Sequence, residues 1–167
     1  MGSKRGVGIT VGVLVAITIA SFVVWFDNPS NTEMTIVVTD FENHDAGISE
    51  RHKIISNGVD ESLVELMNGE LSPQEYITIA EVSSSQNNAL LMELAYSDAP
   101  EEWQETYVNR IASFKSFGAY IRESMVFSTY ISEGVEEIEQ KNEILENMEK
   151  YKDEYVQFKQ LAESAKP

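Results

Sequence analysis

The chain has no cysteine among its 167 residues. That excludes disulfides, thiolate-ligated zinc, iron–sulfur clusters, thiol catalysis and an anchor on a lipidated cysteine. Histidine is almost as scarce: His44 and His52 are the only imidazoles. Eight residues apart, they share a helix face only roughly and read as surface side chains, although Glu42, Asp45 and Glu50 stand nearby. No Glu-x-x-His pair, His-Glu-x-x-His, Walker loop, dinucleotide-binding glycine turn or calcium loop occurs. A serine nucleophile would need one of the two histidines beside it, and nothing singles out such a serine. No catalytic, metal-ligating or cofactor-binding residue is therefore expected, and the chain reads as a non-enzyme. Asn28-Pro29-Ser30 fails as a glycosylation acceptor because proline fills its middle position.

Basic residues are also few, at 12 against 28 acidic ones. Lys4 and Arg5 are the only charges before Asp27, so the 10 remaining basic residues face all 28 acidic ones and that part carries −18. Such a surface repels nucleic acid phosphates and anionic headgroups, and it favours solubility, cations and basic partners. Nucleic acid binding is excluded on this ground.

What the chain does have is one long uncharged run. Gly6 to Phe26 holds no charged side chain and only Thr10, Thr18 and Ser21 as polar ones. As a helix these residues would span roughly 31 Å, close to the hydrocarbon thickness of a bilayer. Residues 1–26 are thus expected to be a single transmembrane anchor contacting lipid through Val7, Val15, Phe22, Trp25 and Phe26, the last two at the interface. Lys4 and Arg5 flank its cytoplasmic end, which places the rest of the chain on the extracytoplasmic side of the cell membrane. A cleaved signal peptide would need a site near Thr18 and Ala20, but the apolar run continues past it through Phe26. Myristoylation fails because Gly6 stands where Ser or Thr is required. Lys4-Arg5-Gly6 before an apolar run resembles the leader of archaeal type IV prepilins, which implies cutting after Gly6 and a filament subunit. Here Val11 stands where many pilins carry an acidic residue, and Asp27-Asn28-Pro29-Ser30-Asn31 interrupts the run.

Residues 27–39 read as a linker and an extended segment. Pro29 discourages helix, and Thr35-Ile36-Val37-Val38-Thr39 is β-branched but has no partner strand. Residues 40–167 are expected to form an acidic, all-α, antiparallel bundle, with four helices the preferred count. Phe41, Ile48, Ile55, Val59, Leu63 and Leu66 make one face, which Gly47 and Asn57-Gly58 threaten to break into two helices. Asn68-Gly69 is a stop signal. Ser72-Pro73-Gln74-Glu75 is a capping box with proline at the first helical position, and Tyr76, Ala80, Ser83, Asn87, Leu90 and Leu94 follow as a stripe with a polar middle.

Asp98 and Glu101 form a second candidate cap pair, ahead of Trp103, Tyr107, Ile111, Phe114, Ile121 and Met125. Tyr120, Phe127 and Ile131 lie on a strip roughly 100° away. They mark either a helix buried on two sides or an interaction strip for a partner. Ile138, Leu145, Met148, Tyr151, Tyr155, Phe158 and Ala162 give the last helix a coiled-coil-like seam, with Glu and Lys between. Ser132-Glu133-Gly134 decides between a turn and one continuous projecting helix.

The expected role is a membrane-anchored scaffold or accessory subunit that binds a protein partner, or itself, through its helices. An outward domain behind a membrane helix also resembles the sensor half of chemoreceptors. That resemblance implies a ligand-sensing or solute-binding four-helix domain working with a partner.

Overall fold

The computed structural model describes residues 36–134 and 137–167. The anchor residues Val7, Val15, Phe22, Trp25 and Phe26 and the flanking Lys4 and Arg5 lie outside the described residues. Among those described, no helix is long and apolar enough to cross a membrane.

The described chain is all-α, with four helices: α1 (Phe41–Met67), α2 (Pro73–Ala95), α3 (Glu101–Glu133) and α4 (Ile138–Ser164). Asp45 near the start of α1, Arg110 near the start of α3 and Glu163 near the end of α4 meet through hydrogen bonds. His44 of α1 likewise meets Glu93 near the end of α2. Successive helices therefore run antiparallel.

Ahead of α1, Ile36 N–H donates to the Tyr96 carbonyl at 2.7 Å. Asp40 then caps α1 by accepting from Asn43 N–H at 3.0 Å. Gly47 and Gly58 do not break α1, which is one helix of 27 residues. Tertiary burial of seven side chains on one face outweighs the modest propensity cost of two glycines. Gly69 takes φ +74°, where glycine escapes the steric penalty, and the chain turns into α2. The Ser72 capping box forms, and all six residues of the expected α2 stripe are buried.

The cap of α3 differs from expectation. Pro100 occupies the N-cap, without a side-chain bond, while Asp98 lies two residues before it at φ 40° and Glu101 already belongs to the helix. At the other end Gly134 adopts φ 63°, and its left-handed conformation terminates α3. The expected seam of α4 also shifts: Ile144, Met148, Tyr155 and Ala162 are buried, whereas Ile138 is exposed.

The core falls into two apolar clusters. One, near the chain entry, joins Ile48, Leu90, Leu94, Tyr107 and Phe114, with Phe41 and Trp103 packed against it. The other joins Val59, Leu66, Tyr76, Phe117, Ile121, Phe127, Ile144 and Met148, among others. Along the chain, His52 falls between the clusters on α1, and Ser83 and Asn87 fall between them on α2. Backbone packing is tightest between α3 and α4, while no Cα atoms of α1 and α4 lie within 8 Å of each other. Side chains bridge that seam instead.

Candidate functional site

The described chemistry concentrates where the starts of α1 and α3 meet the ends of α2 and α4. Arg110 is 1% exposed and Asp45 is fully buried. The guanidinium makes a two-pronged bond to Asp45, at 2.9 and 2.8 Å, and a third bond to Glu163 at 2.8 Å. Lys166 closes the circuit, reaching Asp45 at 3.0 Å and Glu163 at 2.7 Å. Burial opposes the Arg110 charge, but the bonds and charges of Asp45 and Glu163 outweigh it and raise its pKa. For Glu163, burial again opposes ionisation, and the bonds from Lys166 and Arg110 win and lower its pKa. Two cations and two anions thus complete one another, and Thr106 ties the same corner by donating to the Ala165 carbonyl at 2.7 Å.

On the other flank of α1 the Tyr107 hydroxyl lies 2.6 Å from His44 Nδ1, and His44 Nε2 lies 3.2 Å from Glu93 Oε1. Arg51 grips Glu93 with two bonds of 2.9 and 2.7 Å. A hydroxyl, an imidazole and a carboxylate in line form a proton chain of the kind that activates nucleophiles. Here the hydroxyl is sealed: Tyr107 is 3% exposed, and the rings of Phe41 and Trp103 lie 5.8 and 6.3 Å from its own. Burial, with the charges of Asp45 and Glu93 behind it, pushes the phenol up to about 12. The chain therefore joins α1, α2 and α3 rather than presenting a reactive oxygen.

Phe41 and Trp103 also floor a cleft of about 500 Å³, whose walls include Asp40, Glu42, Glu102 and Lys166. Their rings stack at 6.5 Å. Aromatic rings and carboxylates there border a common space open to solvent.

The surface reading of the histidines is overturned. His52 is 3% exposed and lies flat on Phe114, with ring centroids 4.0 Å apart and Phe117 edge-on at 4.8 Å. Burial lowers its pKa to about 3, with the charges on Lys159, Arg110 and Lys152 adding to the effect. His52 Nε2 and Asn87 Oδ1 are both sealed from water, without a partner in hydrogen-bond range among the described residues. His44 is half-buried in the chain just described.

Of the expected interaction strip, Tyr120 and Phe127 lie in the core and only Ile131 is exposed. Tyr120 donates to Asp60 at 3.1 Å, and Lys152, which also binds Asp60, sits 4.7 Å above its ring. That placement matches a helix buried on two sides. Periodicity missed the four-charge cluster, although a signal was present. Asp45 and Arg110 each stand at a core position of their stripe, between Phe41 and Ile48 and between Tyr107 and Phe114, with opposite signs. Groups of acidic and histidine residues able to hold a metal ion do not occur among the described residues. No family model, curated protein or solved structure matches the chain.

Proposed function

We propose that this chain is a membrane-anchored, extracytoplasmic helical module that acts without catalysis, as a scaffold or accessory subunit for a protein partner. The observation that carries this reading is the use made of the interior chemistry. Arg110, Asp45, Glu163 and Lys166 satisfy one another, and Tyr107, His44, Glu93 and Arg51 do the same. What remains to act is the outer surface of the helices. The uncharged run from Gly6 to Phe26 supports the anchor, and the basic pair Lys4-Arg5 supports the outward orientation. Extraction of native membranes in mild detergent, capture of the chain and mass spectrometry test the reading. A companion at fixed stoichiometry is expected; a solitary chain refutes it.

A second reading, a solute-sensing bundle, is favoured by the aromatic cleft. Trp103 and Phe41 beside Asp40, Glu42 and Glu102 offer ring faces and negative charge to an organic cation. A melting-temperature screen against amines tests it, since binding to the folded state alone must raise the transition.

A further inference from the structure

The outer groove between α1 and α2 combines three properties that no contact among the described residues explains. On α1 the residues Gly47, Arg51, Ile54, Gly58, Glu61 and Glu65 follow spacings of four and three and so share one face. On α2 the same rule aligns Glu75, Ile79, Val82, Gln86, Ala89 and Glu93. Arg51 and Glu93 clasp across one end of the groove, and next to them Ile54, Ile55, Gln86, Ala89 and Leu90 line a depression of about 330 Å³.

The first property is exposed apolar surface. Ile54 is 66% and Val82 54% exposed, although both are large aliphatic side chains. The second is the placement of glycine. Both glycines of α1 fall on this face, and a Cβ at either would meet nothing within 4 Å. Among the described residues nothing requires them, yet each costs the helix about 1 kcal/mol relative to alanine. What they do is lower the wall of the groove so that another backbone can approach. The third is charge. Glu61, Glu65 and Glu75 are exposed toward the α1–α2 turn, and among the described residues none of them has an ion-pair partner. The groove is apolar in its middle, neutral at the Arg51–Glu93 end and negative at the other.

We infer that this groove docks an amphipathic helix of another protein, with apolar side chains against Ile54, Val82 and Ala89 and basic side chains over Glu61, Glu65 and Glu75. Charge complementarity selects this occupant: a second copy would bring a body of formal charge −16 against the same carboxylates. The spacing requirement is apolar residues at i, i+3 or i+4, and i+7, with Lys or Arg clustered at the end nearer the α1–α2 turn. The inference deepens the interaction reading and rests on it.

The test uses the full chain in neutral detergent and a fluorescent synthetic helix of about eighteen residues. The helix carries a Leu stripe and Lys at one end, beside a scrambled peptide of identical composition. The striped peptide is expected to bind at least about tenfold more tightly than the scrambled one. Ile54→Gln with Ala89→Gln should erase that difference while leaving the melting temperature unchanged, because both positions are exposed. Glu61→Gln with Glu65→Gln should weaken binding and flatten its salt dependence. Equal binding of the two peptides overturns the inference, as does indifference to the Ile54 and Ala89 changes. A dimer seen in sedimentation and dissociated by Ile54→Gln overturns it in favour of a second copy. A native companion that survives Ile54→Gln removes the groove but leaves the scaffold reading; selective peptide binding without a native companion does the reverse.

Discussion

His52 makes the stability of this bundle sensitive to mild acid, in a window where carboxylates contribute little. In the unfolded chain its pKa is the ordinary 6.5, and in the fold it is near 3. Above pH 6.5 both states hold a neutral imidazole and the residue contributes no pH dependence. Below 6.5 the unfolded chain takes up a proton that the folded chain refuses, so stability falls as pH drops, until the folded pKa is reached. At pH 5 the two pKa values give a loss of about 2 kcal/mol relative to pH 7.5. That is a substantial share of the stability of a domain this size. The groups responsible face His52 from two helices: Phe114, Phe117 and Arg110 on α3, and Tyr155, Lys152 and Lys159 on α4.

The measurement is urea unfolding of the full chain, followed by circular dichroism at pH 7.5, 6 and 5, beside His52→Phe. Phenylalanine keeps an aromatic ring against Phe114 but has nothing to protonate. Wild type should lose about 2 kcal/mol more than His52→Phe between pH 7.5 and 5. Comparing the two removes every other group that titrates in the window. Parallel losses in the two proteins would refute the reasoning. They would mean that the folded state accepts the proton on His52 at close to its ordinary pKa.

Asp45→Ala strips the buried Arg110 of its two-pronged partner and should cost about 3–5 kcal/mol in denaturant unfolding. Ser72→Ala removes the α2 capping box and should cost about 1 kcal/mol. Gly58→Ala should stabilise by about 0.5–1 kcal/mol, since its Cβ enters open space. Gly118→Ala should fall short of it by at least about 1 kcal/mol, because a Cβ there comes 3.2 Å from the Asn87 amide nitrogen, which is held by the Phe114 carbonyl. Added salt should raise the melting temperature. Screening relieves the repulsion of a −16 chain, whereas the Asp45–Arg110 pair is buried and the partly exposed Arg51–Glu93 and Lys152–Asp60 pairs contribute little each.

The helices were legible in the sequence because each carries a local signal that the tertiary structure reinforces. Ser72-Pro73-Gln74-Glu75 specifies both the cap and the start of α2 through bonds within four residues, and Gly134 ends α3 by a conformation open to glycine. Where two local signals disagreed, burial decided. Gly47 and Gly58 argued for a break in α1, but Ile48, His52, Val59 and Leu63 all reach the core only if the helix continues. What remained illegible was pairing across the bundle. Periodicity says that Arg110 and Asp45 face inward, and it does not say that they face each other, because 65 residues separate them. The same limit explains His52: spacing set it near a helix surface, and only the arrangement of Phe114, Phe117 and Tyr155 around it shows a ring sealed in the core. The polar interruptions of each stripe were thus the sequence's pointers to the interior networks. The apolar interruptions of the outer faces, Ile54 and Val82 among them, point by the same logic to contacts that the described residues do not make with one another.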